Sequence, residues 1–189
     1  MSSVIKYESA KYCPIVYVLL PVHNRRSITL AFVDCLKNQS YEQVRLILID
    51  DGSVDGTAEA VCQKLSDVIV LQGRGDWWWA GSLQRGYEWL QSNKIARDDV
   101  VLIMNDDTSF ERDFIVSGLD LLKERPATLV TALGYNIKTG QSQDSGGYIM
   151  DWATLGFTET YDSSKINCAS TRGLVMRVGD FLDVRGFYP

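Results

Sequence analysis

Several things are scarce in these 189 residues, and each scarcity removes a class of function. Histidine occurs once, at His23. A Ser–His–Asp apparatus would have to be built on it, and no GxSxG elbow accompanies it. Cysteine occurs four times, at Cys13, Cys35, Cys62 and Cys168, with no CxxC pair. That spacing argues against a zinc site and supplies no disulfide framework; reduced, mostly buried thiols are expected. Long basic blocks are absent, and the net charge is −5, so nucleic acid is not an expected partner. No run approaches the ~20 apolar residues of a membrane span. The opening MSSVIKYESAKYC has no apolar signal-peptide centre, so a cytoplasmic protein without a transmembrane segment is expected. Neither GxGxxG nor GxxxxGK[ST] follows the first apolar run, where the chain reads PVHNRRS.

What is present fits a globular domain. Apolar residues make up 46% and charged residues 23%. Apolar runs predict strands over 16–20, 44–49, 68–71, 99–104 and 128–133. Between them, helical spacing covers 28–38 behind a Ser27 cap, 57–65, roughly 81–92, and roughly 111–124 closed by Pro126. This alternation predicts an α/β fold with a mostly parallel central sheet flanked by helices. Right-handed crossovers would place consecutive strands side by side. From about residue 134 the rhythm breaks, and irregular structure or a small antiparallel hairpin is expected to 170. A last strand over 172–178 leads to a short helix. Residues 1–14 read as an N-terminal extension and 15–189 as one domain.

The second strand raises a question. LILIDDGSVDGT, residues 46–57, finishes a buried run with two adjacent carboxylates. They repel each other, and each is costly to desolvate. Turn and cap chemistry would explain them singly. A ligand site explains them together with two other clusters. Ligands of open α/β sheets bind at the carboxyl ends of strands. Three predicted strand ends carry polar groups: PVHN at 21–24, DDGS at 50–53 and NDD at 105–107. In an acidic protein, a phosphate-bearing ligand there would need arginines or a carboxylate-held divalent cation. A phospho-acceptor receiver domain also begins with paired acids, but NDD brings no matching lysine.

These residues resemble a known family. VYVLLPVHNRRSITLAFVDCLKNQSYEQVRLILIDDGSVDGT is similar to the opening of family 2 glycosyltransferases with the GT-A fold. There a strand leads to P-x-[YH]-N, a helix ends near N-Q-[ST]-Y, and a second strand runs into DDGS-x-DGT. IMNDDTSF resembles the family's DxD variant, N-x-D, of rhamnosyltransferase-like members. WWWAGSLQRGYEW is similar to the helix start between those motifs, and RGLVMRVGDFLDVRGFYP to the segment ending in a G-G-F-like turn. Each motif is weak alone; the ordered set spans most of 15–189.

The resemblance implies transfer of a sugar from a nucleotide-diphospho-sugar to an acceptor hydroxyl, with inversion, in surface polysaccharide biosynthesis. It places Pro21, His23, Asn24 and Asp51 at the nucleotide, with Asp51 accepting a base N–H and Asp50 shaping the loop. The donor would be a UDP- or dTDP-sugar. Asp107 and Asn105 would bind Mg2+ or Mn2+, with Asp106 near the donor. The acceptor would be a saccharide or a lipid-linked saccharide; the latter would bring the protein to the inner face of the membrane. The family's general base follows the G-G-F-like turn, and this sequence ends at Pro189 directly after it. The expectation is a C-terminally truncated, donor-binding part whose base lies beyond Pro189.

Other residues stay open. Of Trp77, Trp78 and Trp79, one or two anchor their loop or one stacks on a sugar, with Trp79 the pocket candidate. Gly81 and Ser82 present N–H groups to a diphosphate or simply start a helix. Arg74, Arg85 and Arg172 pair with the diphosphate or are solvated. The rival to an enzyme is a non-catalytic nucleotide-sugar-binding module. A nucleotidyltransferase would want a Gly-rich loop where PVHNRRS stands.

Overall fold

A computed structural model describes residues 13–125 and 128–187. The first half alternates strictly: β1 (Val16–Val22), α1 (Arg26–Lys37), β2 (Val44–Asp50), α2 (Thr57–Lys64), β3 (Val68–Gln72), α3 (Trp78–Ser92), β4 (Val100–Ile103) and α4 (Phe114–Glu124). Short strands follow: β5 (Val130–Thr131), β6 (Gly134–Tyr135), β7 (Ser142–Asp144), β8 (Gly147–Asp151), β9 (Gly156–Glu159), β10 (Cys168–Ala169) and β11 (Leu174–Arg177). Helix α5 (Val178–Asp183) closes the described chain.

The main sheet has the order β3-β2-β1-β4-β11-β5. Strands β1 to β4 are mutually parallel; β11 runs antiparallel to both β4 and β5. The expected α/β class with a mostly parallel sheet is what forms. The expected neighbour order holds from β1 to β3 and then fails. β4 returns to the far side of β1, so the strand order reverses there. Such a reversal opens a crevice at the carboxyl ends of the flanking strands.

Strand side chains alternate between two cores. Val16, Val18, Leu20, Leu46, Leu48, Val100 and Leu102 meet α1, α2 and α4 through Phe32, Val61 and Ile115. Tyr17, Leu19, Ile47, Ile49, Val101 and Ile103 meet α3 and α5 through Leu83, Leu90 and Phe181. Strands buried on both faces read as unbroken apolar runs, which is why β1, β2 and β4 were legible.

The differences from expectation lie at boundaries and at the C-terminal side. Helix α1 starts at Arg26, not at residue 28, and Ser27 is not its cap. The Arg26 N–H donates instead to Asp55 Oδ2 at 3.0 Å, 29 residues away. β5 and β11 are shorter than expected, and α4 begins at Phe114. Pro126, expected to close α4, lies outside the described residues. So do Pro189 and most of the 1–14 extension. Between 134 and 170 the chain forms two small antiparallel sheets, β10-β8-β9 and β6-β7, rather than one hairpin. The cysteines are free but not buried: Cys13 and Cys62 are exposed, and Cys35 and Cys168 are half-buried. No helix among the described residues is long and apolar enough to cross a membrane.

Candidate nucleotide and metal site

The three polar strand ends converge. A pocket of about 450 Å³ is lined by Pro21, Val22, His23 and Arg25 from the end of β1, Asp51 from the end of β2, Gly75, Trp78, Trp79 and Ser82 around the start of α3, and Asn105, Asp106 and Asp107 after β4. Eight of the ten residues expected at a nucleotide, donor or metal line this one cavity. Asn24 and Gly81 do not. Asn24 ties the two loops behind it: its N–H donates to Ser53 Oγ at 2.9 Å and its Oδ1 accepts from Val54 N–H at 2.8 Å. It does so at φ 52, a conformation Asn tolerates better than most residues. Gly81 is buried in the first turn of α3.

The paired acids now have separate explanations. Asp50 is buried and accepts the Ser53 N–H through Oδ1 at 2.8 Å, closing its own turn. Asp51 reaches across to the loop before α3. Its Oδ1 accepts from Gly75 N–H at 2.8 Å, and its Oδ2 from Trp77 and Trp78 N–H at 2.9 and 3.0 Å. A carboxylate has about four lone-pair sites, so three are filled. One remains for a ligand donor, such as a base N–H. The same bonds cap α3, which explains its start at Trp78 rather than residue 81. No local sequence signal marks that start, because the capping group lies 27 residues upstream.

Glycines keep this loop close. A Cβ at Gly73 would stand 2.5 Å from Asp51 Oδ1, and Gly52, at φ +74, would meet the Arg74 and Gly75 backbone at 2.7 Å. His23 is held at both ring nitrogens. Its Nδ1 lies 2.6 Å from the Asp51 carbonyl oxygen and its Nε2 2.9 Å from Asn24 Nδ2. The carbonyl oxygen can only accept, so Nδ1 donates in this pair, and His23 lines the pocket.

The tryptophans divide. Trp77 packs against the α3-side core with Arg85 over its ring at 5.4 Å. Trp79 is 39% exposed and lines the pocket, as expected. Trp78 lines it too, is 81% exposed, and has a φ of 55. A bulky residue in that region is strained, and its N–H bond to Asp51 helps hold it there.

At the NDD turn, Asp106 is buried and Asp107 half-exposed. Thr29 Oγ1 donates to Asp106 Oδ2 at 2.9 Å, and Arg25 Nε lies 3.0 Å from Asp106 Oδ1. Burial pushes the Asp106 carboxyl above the ordinary value; the Thr29 bond and the Arg25 charge oppose that shift. Arg25 Nη2 also stands 3.4 Å from Asp107 Oδ2. The Asn105 Oδ1 atom is buried without a hydrogen-bond partner. Asp107 and Asn105 thus offer two oxygen donors of the kind Mg2+ and Mn2+ prefer. No cluster of three or more His, Cys, Asp or Glu suited to a metal occurs among the described residues. A cation held here would take its other ligands from water or phosphate, as Mg2+ commonly does.

The arginines expected near a diphosphate are elsewhere. Arg85 pairs with Glu88 at 2.8 Å, and neither Arg74 nor Arg172 lines the pocket. Arg172 is half-buried, and its Nε is buried without a hydrogen-bond partner. Arg25 is the pocket arginine, and sequence reading passed over it. The signal was its place directly after the β1 cluster PVHN.

Comparison with known proteins decides the family. Residues 17–178 match Glycosyl transferase family 2. The chain belongs to that family. An uncharacterized glycosyltransferase of Rickettsia felis is 27% identical over 135 residues, covering 62% of this chain and 22% of that protein. One from Haemophilus influenzae is 41% identical over 49 residues, covering 25% and 19%. The chain thus spans about a fifth of the length of these relatives. Among solved structures, S. aureus TarS 1-349 in complex with UDP-GlcNAc superposes with a TM-score of 0.67 at 15% identity, covering 93% of this chain and 48% of that one. The mannosyltransferase PcManGT from Pyrobaculum calidifontis, in complex with GDP-Man and Mn2+, gives 0.57 at 19%, covering 68% and 38%. These likenesses establish the GT-A-like fold.

Proposed function

We propose that this family 2 domain binds a nucleotide-diphospho-sugar in the crevice at the ends of β1, β2 and β4 and presents its anomeric carbon to an acceptor hydroxyl. The observation that carries the reading is the single pocket shared by Asp51, His23, Asn105 and Asp107, drawn from three separate strand ends. The donor is a UDP- or dTDP-sugar. TarS 1-349 has been solved with UDP-GlcNAc, and PcManGT with GDP-Man and Mn2+. Pro21 and His23 border the base, and Asp51 offers its remaining lone pair to a base N–H. Trp78, Trp79 and Ser82 border the donor sugar and diphosphate. Asp107 and Asn105 would hold Mg2+ or Mn2+. When bound, that ion stabilises the charge that builds on the diphosphate leaving group.

The acceptor oxygen forms a bond to the anomeric carbon as the bond to the diphosphate oxygen breaks, with inversion. Its proton must pass to a general base. Each carboxylate lining the pocket already has a partner: Asp51 the loop N–H groups, Asp106 Thr29 and Arg25, Asp107 Arg25. None stands free as that base. This favours a base outside the pocket described. The acceptor is a saccharide or lipid-linked saccharide in surface polysaccharide synthesis. The same observation supports the alternative, a nucleotide-sugar-binding module without catalysis of its own.

Calorimetric titration of UDP, dTDP and GDP, with and without Mn2+, tests the donor reading. Metal-dependent binding of UDP or dTDP, weakened in Asp107→Ala, is expected. Absence of any nucleotide binding by the wild type would overturn it. Sugar transfer from a nucleotide-sugar to a saccharide acceptor, assayed alongside nucleotide binding, would separate enzyme from binding module.

A further inference from the structure

The pocket has a charge problem, and Arg25 sits at its centre. Three carboxylates line the cavity, Asp51, Asp106 and Asp107, against one arginine. A nucleoside diphosphate entering such a lining meets repulsion. The guanidinium of Arg25 is held in two unlike ways. On its inner edge, Nε lies 3.0 Å from Asp106 Oδ1, an ion-pair contact in which Nε is buried but makes no hydrogen bond, and the Asp106 side chain is only 5% exposed. Thr29 fixes the other oxygen of that carboxylate. On its outer edge, Nη2 lies 3.4 Å from Asp107 Oδ2, whose side chain is 45% exposed. Half-exposed ion pairs contribute little and are given up easily. A charge facing a buried carboxylate is not, because its loss leaves that carboxylate uncompensated. The inner pair is an anchor and the outer pair is exchangeable.

We propose that Arg25 binds the donor's diphosphate and is the exchange partner of the divalent cation at Asp107. This rests on the donor reading above. In the arrangement observed, the outer edge of the guanidinium neutralises Asp107. When a diphosphate arrives with its cation, the outer N–H groups of Arg25 turn to phosphate oxygens, and Asp107 turns to the cation. No bond is made or broken; two ion pairs are traded for two others. Arginine suits the trade, because its planar fork can meet phosphate oxygens in pairs while its charge stays beside Asp106. The position suits it too: Arg25 lies between β1 and α1, with the PVHN loop on one side and the NDD turn on the other. Asn105 Oδ1, buried and unpartnered one residue before Asp106, stays available to the cation throughout.

The trade has an unusual consequence. Arg25 helps the metal-diphosphate bind but competes with the metal alone. Arg25→Gln is therefore expected to move two affinities in opposite directions. Binding of UDP with Mn2+, followed by calorimetry, weakens about ten- to hundredfold, the loss of one or two charge-assisted bonds. Binding of Mn2+ alone, followed by the electron paramagnetic resonance of the free ion, tightens severalfold because Asp107 is released. Arg25→Lys, which keeps the charge without the fork, falls between wild type and Arg25→Gln on both measurements. A pocket merely disordered by the substitution would lose affinity for both ligands, and that result overturns the inference. So does a UDP affinity unchanged in Arg25→Gln. If wild type binds UDP with Mn2+ and only these variant effects are missing, the inference fails and the donor reading stands. If wild type binds no nucleotide, both fall.

Discussion

At Asp51, one carboxylate does two jobs, and they can be separated. It holds the loop before α3 through three N–H bonds, and it keeps one lone pair toward the pocket. Asp51→Ala would leave those part-buried N–H groups without their partner. Leaving a buried donor unsatisfied costs about 1–3 kcal/mol. With some relaxation of the loop, a total loss of about 3 kcal/mol is expected in urea denaturation, together with loss of nucleotide binding. Retained stability would show that the loop is held by other contacts. Trp78 adds a related case. Its φ of 55 is costly for an aromatic residue, yet it stays at the pocket wall. Trp78→Gly should relieve backbone strain of about 1–3 kcal/mol while weakening donor binding. A stability gain coupled to a binding loss is the signature of a strained functional position; a loss of both would assign Trp78 a packing role instead. Far from the pocket, Tyr148 gives a pH test. Burial, then its bond to Asp144 Oδ1 at 2.9 Å, pushes its phenol up to about 12. The folded state therefore holds this proton more tightly than the unfolded chain. Its contribution is complete below pH 10 and is lost as the pH climbs to about 12. In ultraviolet titration, Tyr148→Phe should remove a late-ionising component and flatten the alkaline fall in stability; an unchanged curve would refute the assignment. At this scale the sequence was half legible. Asp51, Asn105 and Asp107 announced themselves by following apolar runs. Arg25 and Trp78 did not, because nothing in one dimension shows that a guanidinium lies on two acids 81 and 82 residues on, or that a φ is positive.

Elements were legible where burial wrote a strong pattern. β1, β2 and β4 are covered on both faces, so each reads as an apolar run ending in polar residues. Helix boundaries were less legible. α1 and α3 begin where distant carboxylates, Asp55 and Asp51, meet their first N–H groups. A cap from 27 or 29 residues away leaves no local signature. α3 matters most for the site, because its first turns carry Trp78, Trp79 and Ser82. Its distance from the sheet is set by Gly86, where a Cβ would lie 3.0 Å from Ile49 Cδ1 and 3.1 Å from Leu19 Cδ2. Gly86→Val would drive the helix off those strands. Overpacking of this kind costs about 1–3 kcal/mol. Nucleotide affinity should fall as well, although residue 86 lies one to two turns from the pocket residues of α3. Undiminished UDP binding in a destabilised Gly86→Val would show that the pocket wall is positioned by Asp51 rather than by helix seating.

The whole molecule explains why the site stands where it does. β1, β2 and β3 advance across the sheet in one direction, and β4 returns to the other side of β1. That reversal was not readable from the sequence, since parallel neighbours of either order share the same apolar runs. It brings the NDD turn beside PVHN, and DDGS stands beside PVHN on the opposite flank. The arrangement gathers three carboxylates and one arginine in one crevice, leaving a net negative lining before any ligand enters. Global stability should therefore respond to nucleotide and metal jointly. Anything that binds only the folded state stabilises by RT ln(1 + [L]/Kd), about 2.7 kcal/mol at a hundredfold excess over Kd. For a domain of this size each kcal/mol moves Tm by roughly 2–4 °C. With UDP and Mn2+ together at such an excess, Tm should rise by roughly 5–10 °C. Removing Mn2+ with a chelator should abolish most of that rise, because the diphosphate then faces Asp106 and Asp107 with Arg25 alone. In Asp107→Ala the charge balance changes: one carboxylate is gone and Arg25 is released from its outer pair. The metal dependence should shrink, and UDP without Mn2+ should stabilise this variant more than the wild type. Equal metal dependence in wild type and Asp107→Ala would move the cation site away from the NDD turn.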